Sequence, residues 1–277
     1  MRFAFKTSPQ NTTWADMLAV WKAADDIDVF ESGWTFDHFY PIFTDDPSGP
    51  CLEGWVTLTA LAQATTRLRL GVLVTGIHYR HPTVLANMAA TLDIVSGGRF
   101  DFGIGASWLR EEWEAVGLDF ATRGARVDEA LQVCRALWTE PTVEHHGRFF
   151  DFDPVAFEPK PVQPGGPPVH VGGDGMAALR RTARVGAGWI PMNHTLDQVP
   201  GSLQTLSALW AEHGRSGKPE VTTSAPVGTP DDIERAADAG IDRLIVMPWR
   251  RTREALDGIA RFADQVMAPA ADRAGPT

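Results

Sequence analysis

Four histidines stand just past the ends of short apolar runs, where a side chain could meet a ligand. They are His38 in Phe36-Asp37-His38-Phe39, His78 and His81 in Val74-Thr75-Gly76-Ile77-His78-Tyr79-Arg80-His81-Pro82, and His194 in Met192-Asn193-His194. An imidazole is suited to passing protons near neutral pH. His38 is the sharpest candidate, with Asp37 beside it as a charge partner. Neighbouring strand residues point to opposite faces, so only one of the two can face a ligand. If that one is His38, its task is general acid or proton relay. A metal centre is not expected. Catalytic zinc needs about three converging ligands, and the histidines form no HxH or HExxH pattern. His145-His146 is expected in an exposed turn, and His170, inside an apolar run, in the core.

Two glycine-rich stretches point to a bound anion and a flat ring. Gly172-Gly173-Asp174-Gly175-Met176 opens a helix, where free N–H groups and small residues let a phosphate approach the backbone. Gly103-Ile104-Gly105-Ala106-Ser107-Trp108 follows another apolar run and leaves a gap of small side chains. Trp34, Phe36, Phe39, Trp55, Trp108 and Trp249 are candidates to wall a slot there, the alternative being that they fill a large core.

Eight short apolar runs position these residues: around Phe3 and Phe5, then 32–36, 68–74, 99–104, 169–171, 188–192, 221–225 and 244–247. Helical periodicity separates them. The spacing predicts a helix over 14–27 with Thr12 or Thr13 as N-cap. A second begins at Pro82, presents Val84, Leu85, Met88, Ala89, Leu92 and Val95 on one face, and stops at Gly97-Gly98. A third covers 123–138 and makes Cys134 a small core residue. Eight strand–helix units in 277 residues predict an α/β fold, a (β/α)8 TIM barrel, with active groups past the strand C-termini. An open doubly wound sheet is the alternative, but Thr7-Ser8-Pro9-Gln10 is not its glycine fingerprint. Two stretches interrupt the rhythm, Tyr40 to Glu53 after strand 2 and Trp138 to Pro168 after the fourth unit, the latter with a hairpin at His146-Gly147. Both are insertions in one domain spanning 1–277.

Composition narrows the class. Asp and Glu outnumber Lys and Arg 35 to 25, a net charge of −10, which disfavours nucleic acid and anionic membranes as partners. Two cysteines exclude a disulfide scaffold. With no signal peptide or spanning segment in view, a cytoplasmic protein is expected.

The ordered strings Trp34-Thr35-Phe36-Asp37-His38-Phe39-Tyr40-Pro41, Leu70 to Gly76, Tyr79-Arg80-His81-Pro82, Met88 to Asp93, Ser96-Gly97-Gly98-Arg99, Gly103 to Ala106, Pro159 to Gln163, Val171-Gly172-Gly173 and Gly228-Thr229-Pro230 make the chain resemble the bacterial luciferase-like monooxygenase superfamily, in its actinobacterial branch dependent on coenzyme F420. The resemblance implies a commonly dimeric TIM barrel that uses the 8-hydroxy-5-deazaflavin. The expected reaction is hydride transfer between it and a small organic substrate, read here as uncharged and unsaturated; the alternatives are an FMN-dependent monooxygenase and a non-catalytic flavin- or deazaflavin-binding relative. It places the ring at the barrel mouth against a bulge near Val72, Leu73 and Val74, where the family often has a non-prolyl cis peptide. Asp37 and His38 would sit at the ring as the catalytic pair. Ala106, Ser107 and Trp108 would line the cofactor channel, and Gly172, Gly173, Asp174, Gly175 and Met176 would hold phosphate. Related sugar-phosphate dehydrogenases carry a glutamate where Ser107 or Trp108 aligns.

Overall fold

A computed structural model describes residues 1–249 and 252–267. In chain order its first half contains β1 (Arg2–Lys6), α1 (Trp14–Asp25), β2 (Phe30–Thr35), α2 (Gly54–Ala64), β3 (Arg69–Val72), β4 (Thr75–Gly76), α3 (Pro82–Val95), β5 (Phe100–Gly105), α4 (Arg110–Ala115) and α5 (Arg123–Thr139). Then follow β6 (Thr142–His146), β7 (Asp151–Ala156), β8 (Val169–Gly172), α6 (Met176–Val185), β9 (Gly188–Ile190), α7 (Val199–Glu212), β10 (Glu220–Ser224), α8 (Pro230–Asp238), β11 (Arg243–Val246) and α9 (Ala255–Arg261).

The strands run in the order β3-β2-β1-β11-β10-β9-β8-β5, all parallel, and a β3–β5 pairing closes the ring. β4 continues β3 after the interruption at Leu73 and Val74, which are joined by a cis peptide bond. This is the closed eight-stranded (β/α)8 barrel that the sequence rhythm predicts. The loop after β2 and the antiparallel β6–β7 hairpin lie where insertions are expected.

Local chemistry explains the element ends. Thr13 caps α1, its hydroxyl accepting from the Asp16 N–H at 3.1 Å. Pro82 begins α3, where no donor is needed. The face of α3 differs from the expectation, since Val84 and Val95 are exposed while Ala86, Ala90 and Asp93 are buried. The helix is rotated because the Asp93 carboxylate is drawn inward by Gln163, accepting from its backbone N–H at 2.9 Å and its side-chain amide at 2.6 Å. Cys134 is buried as expected, donates to the Pro82 carbonyl, and burial pushes its thiol up to about 12.

Alternation decides what faces the barrel axis. Phe3, Phe5, Phe100, Phe102, Val171 and Leu244 pack outward in the main core with the helices. Ala4, Trp34, Leu73, Ile190 and Ile245 form a separate apolar cluster inside. Trp34 fills much of that interior. A Cβ at Gly71 would lie 2.3 Å from its indole, and one at Gly103 would lie 1.9 Å from the Val72 carbonyl oxygen. Only glycine fits at either place. Below Trp34, toward the strand N-termini, the interior turns ionic, with Arg243 and Asp101 at its centre.

Candidate active site

Phe36 and His38 extend the inward series of Ser32 and Trp34 beyond β2, so the imidazole turns toward the barrel mouth. Its side chain is 12% exposed, and its ring meets Phe36 edge-on at 5.1 Å and Trp108 at 6.3 Å. Asp37, expected to be its charge partner, turns the other way. Its carboxylate accepts from Arg80 Nη1 at 2.7 Å, Arg80 Nη2 at 3.0 Å and the Gly76 N–H at 3.0 Å. Burial pushes this carboxyl up from its usual value, and the guanidinium offsets part of that. Asp37 therefore fastens the end of β2 to the segment after β3 rather than holding the imidazole.

The partner of His38 is Glu112, which the sequence reading did not single out. Glu112 lies on α4, is fully buried, and its Oε2 stands 2.9 Å from His38 Nδ1. Its other oxygen accepts from the Phe39 N–H at 3.4 Å. A carboxylate at Nδ1 orients the ring and leaves the neutral imidazole with a bare Nε2, a base facing away from the glutamate. The same carboxylate lies 4.0 Å from Nε2 of His78, too far for a hydrogen bond. Cys51, from the insertion after β2, donates to the His38 carbonyl and steadies that loop.

His78 has no exposed side-chain surface, stacks on Trp113 at 4.6 Å, and neither ring nitrogen has a hydrogen-bond partner among the described residues. Burial lowers its pKa to about 4, the Glu112 charge opposing. In the unfolded chain the same ring binds a proton near pH 6.5, so between these values the unfolded state holds more protons. Stability from this group is complete above pH 6.5 and is lost as pH falls toward 4, by about 3 kcal/mol. Urea unfolding of the wild type and of His78→Phe should therefore diverge by that amount between pH 7 and pH 4. A difference that stays constant with pH would contradict a neutral, buried His78.

The remaining candidates are spread round one end of the barrel. Leu73 belongs to the interior cluster and Val74 packs on it, whereas Val72 points outward into the main core, by the same alternation. Ala106 is half-buried. Ser107 adopts φ 51°, and its buried hydroxyl has no partner among the described residues. Trp108 is exposed and stacks on Phe43 at 5.2 Å. At Gly172 a Cβ would press on Val74 at 2.9 Å, and at Gly105 at 2.7 Å. The N–H of Gly173 is taken by the Ile190 carbonyl at 3.1 Å. Those of Asp174, Gly175 and Met176 make no hydrogen bond within the described residues and open α6. The Asp174 carboxylate does not point at a ligand. It accepts from the Met192 and Asn193 N–H groups, and lies 3.0 Å from His194 Nδ1, lacing the loop after β8 to that after β9.

Of the aromatic residues considered for a slot, Phe36, Phe39 and Trp108 stand at the mouth. Trp34 fills the interior below. Trp55 sits behind the sheet against Phe100 and Phe102, and Trp249 packs on the outer core. His145 corrects an expectation, since it is half-buried and lies 3.3 Å from Glu129 instead of in an exposed turn. His170 is buried, and burial lowers its pKa. Large exposed apolar side chains collect at this end of the barrel: Phe39, Phe43, Trp108, Met176, Met192 and Met247, each just past a strand C-terminus or in the loop after β2. Exposed apolar side chains gathered around a few polar groups are the composition of a candidate ligand site.

The luciferase-like monooxygenase profile matches residues 1–274. The chain belongs to that family. A protein of Mycobacterium tuberculosis is 35% identical to this luciferase-like chain over 198 residues, which are 71% of this chain and 68% of the relative. An F420-dependent glucose-6-phosphate dehydrogenase of Amycolatopsis mediterranei is 27% identical over 194 residues, 69% of this chain and 57% of its own. Among solved structures, the monooxygenase RslO1 from Streptomyces bottropensis superimposes with a TM-score of 0.84 at 22% identity, covering 97% of this chain and 99% of the other. An F420-dependent secondary alcohol dehydrogenase in complex with an F420-acetone adduct gives 0.84 at 18% identity, covering 96% and 98%. At these identities the structural likeness speaks for the fold. Among the described residues of this luciferase-like protein, no helix is long and apolar enough to cross a membrane.

Proposed function

We propose that the protein is an oxidoreductase that uses coenzyme F420 and transfers a hydride between it and a small organic substrate. The observation that carries this reading is the His38–Glu112 pair turned into an apolar mouth, with an unpaired buried hydroxyl at Ser107 nearby. That combination fits a flat heteroaromatic ring, which needs apolar faces and a few polar atoms at its edge. Leu73, Val74, Ala106, Ser107 and Trp108 would hold the ring, and the free N–H groups at Asp174, Gly175 and Met176 its phosphate. The deazaflavin supplies the hydride chemistry when bound.

The chain supplies orientation, exclusion of water and a proton. Nε2 of His38 is the atom that takes or gives that proton, while Glu112 fixes the ring and balances the positive charge that protonation places on the imidazole. Trp108 and Phe43, stacked and exposed beside the imidazole, shield the reacting groups from solvent.

Fluorescence titration of the apoprotein with F420 and with FMN tests the cofactor. Saturable binding of F420 with weak or absent FMN binding is expected. Tight FMN binding without F420 binding would replace this reading by an FMN-dependent monooxygenase. A divalent metal found in the purified protein would revive hydrolytic chemistry.

A further inference from the structure

Lys6 ends β1 and is half-buried. Ala4 lies in the interior cluster, so alternation turns Lys6, two residues on, to the inner face at the strand's C-terminal rim. Its ammonium has no ion pair and no hydrogen bond among the described residues, and its recorded neighbour is the Phe36 ring, 5.7 Å from Nζ. The remaining lysines differ: Lys160 donates to the Leu137 and Glu140 carbonyls, Lys218 pairs with Asp242 at 2.7 Å, and Lys22 is exposed. Burial lowers the Lys6 pKa with nothing to oppose it. A partly desolvated cation without a counter-charge is unfavourable until a ligand supplies one.

Its place in the ring separates it from the cofactor side. β1 is four strands from β8 in either direction, so Lys6 faces Gly172 across the mouth. The β5–β8 side offers Gly105, Gly172, Val74 and the free N–H groups of α6. The β1–β11 side offers an amine, Phe36 and the exposed Met247, two residues beyond inward-facing Ile245. His38, extending β2, stands between them.

We propose that Lys6 is the anion-docking residue of the substrate subsite, and that the substrate is a small organic acid whose carboxylate rests on Nζ while its reacting carbon lies beside His38. The inference rests on the proposed function and narrows it, replacing the uncharged substrate expected from the sequence by a charged one.

Cinnamate and cinnamamide serve as matched probes, one charged and one neutral. Acetic anhydride labelling of the apoprotein, read by peptide mass mapping, should show Lys6 acetylation slowed at least tenfold by cinnamate and unchanged by cinnamamide, with Lys22 unaffected by both. In Lys6→Met, cinnamate affinity followed by tryptophan fluorescence should fall at least tenfold, Lys6→Arg should keep most of it, and F420 titration should match the wild type. The proposal is overturned if cinnamate fails to protect Lys6, if Lys6→Met binds cinnamate as well as the wild type, or if F420 alone gives the protection and cinnamate adds none. Selective protection by cinnamate in a protein that binds no F420 would uphold the anion site and reject the cofactor.

Discussion

Turnover falls by about 10²- to 10⁴-fold in the His38→Asn variant, while its affinity for F420 stays that of the wild type. Asparagine keeps an amide near Glu112 and so spares the fold, but it has no atom that can take up a proton at the place of Nε2. Glu112→Gln acts one step removed. It keeps the shape of the buried side chain and removes the charge that orients and stabilises the imidazole, with an expected loss of about 10- to 100-fold. Single-turnover oxidation of reduced F420 with a substrate accepted by the wild type measures both, and F420 fluorescence titration measures binding. Wild-type turnover in His38→Asn would remove the imidazole from the mechanism. Loss of F420 binding in the same variant would make His38 a cofactor ligand instead.

The barrel was legible because its signal is repeated. Apolar runs recur at the spacing of strand–helix units, and Thr13, Pro82 and the Gly97-Gly98 stop each mark an end by local chemistry that the structure reproduces. His38 was legible for the same reason, since it follows a run whose parity can be counted. Its partner was hidden. The α4 segment Arg110-Glu111-Glu112-Trp113-Glu114-Ala115 has only six residues and four charges, and by composition it is a solvated turn. Trp113, a large apolar side chain among glutamates, was the available sign that one face is buried. Which glutamate goes in with it depends on a contact 74 positions away in sequence. The Asp37–Arg80 pair spans 43 positions and misled the reading toward the adjacent histidine. Lys6 escaped notice because a lysine at a strand end is ordinarily solvated. What singles it out is the carboxylate that no neighbouring strand provides, a property of the closed ring and not of the local sequence.

The largest loss of stability should come from the opposite end of the barrel, at Arg243. This guanidinium is 1% exposed. It donates through Nε to Glu31 at 2.9 Å, reaches Glu220 at 2.8 Å and Asp101 at 3.2 Å, and lies over the Trp34 ring at 5.5 Å. Arg69 also holds Asp101, and Arg2 holds Glu31 and Glu220, so three arginines balance three carboxylates in the ionic layer. Burial also lowers the pKa of the neighbouring His170. Such a network need not stabilise more than apolar packing would, because every ion in it was desolvated. Removing one member is another matter. In Arg243→Met the three carboxylates keep only Arg2 and Arg69, and the buried Asp101 loses one of its two partners. The cost should be about 3 to 5 kcal/mol in urea unfolding. For a chain of this size that lowers the thermal midpoint by about 10 °C. Arg243→Lys retains a charge without the fork that spans Glu31 and Asp101, so it should fall between Met and the wild type. An Arg243→Met protein as stable as the wild type would mean that the layer is hydrated from the open N-terminal end of the barrel. The Lys variant separates the two cases, because in a hydrated layer it too would be neutral.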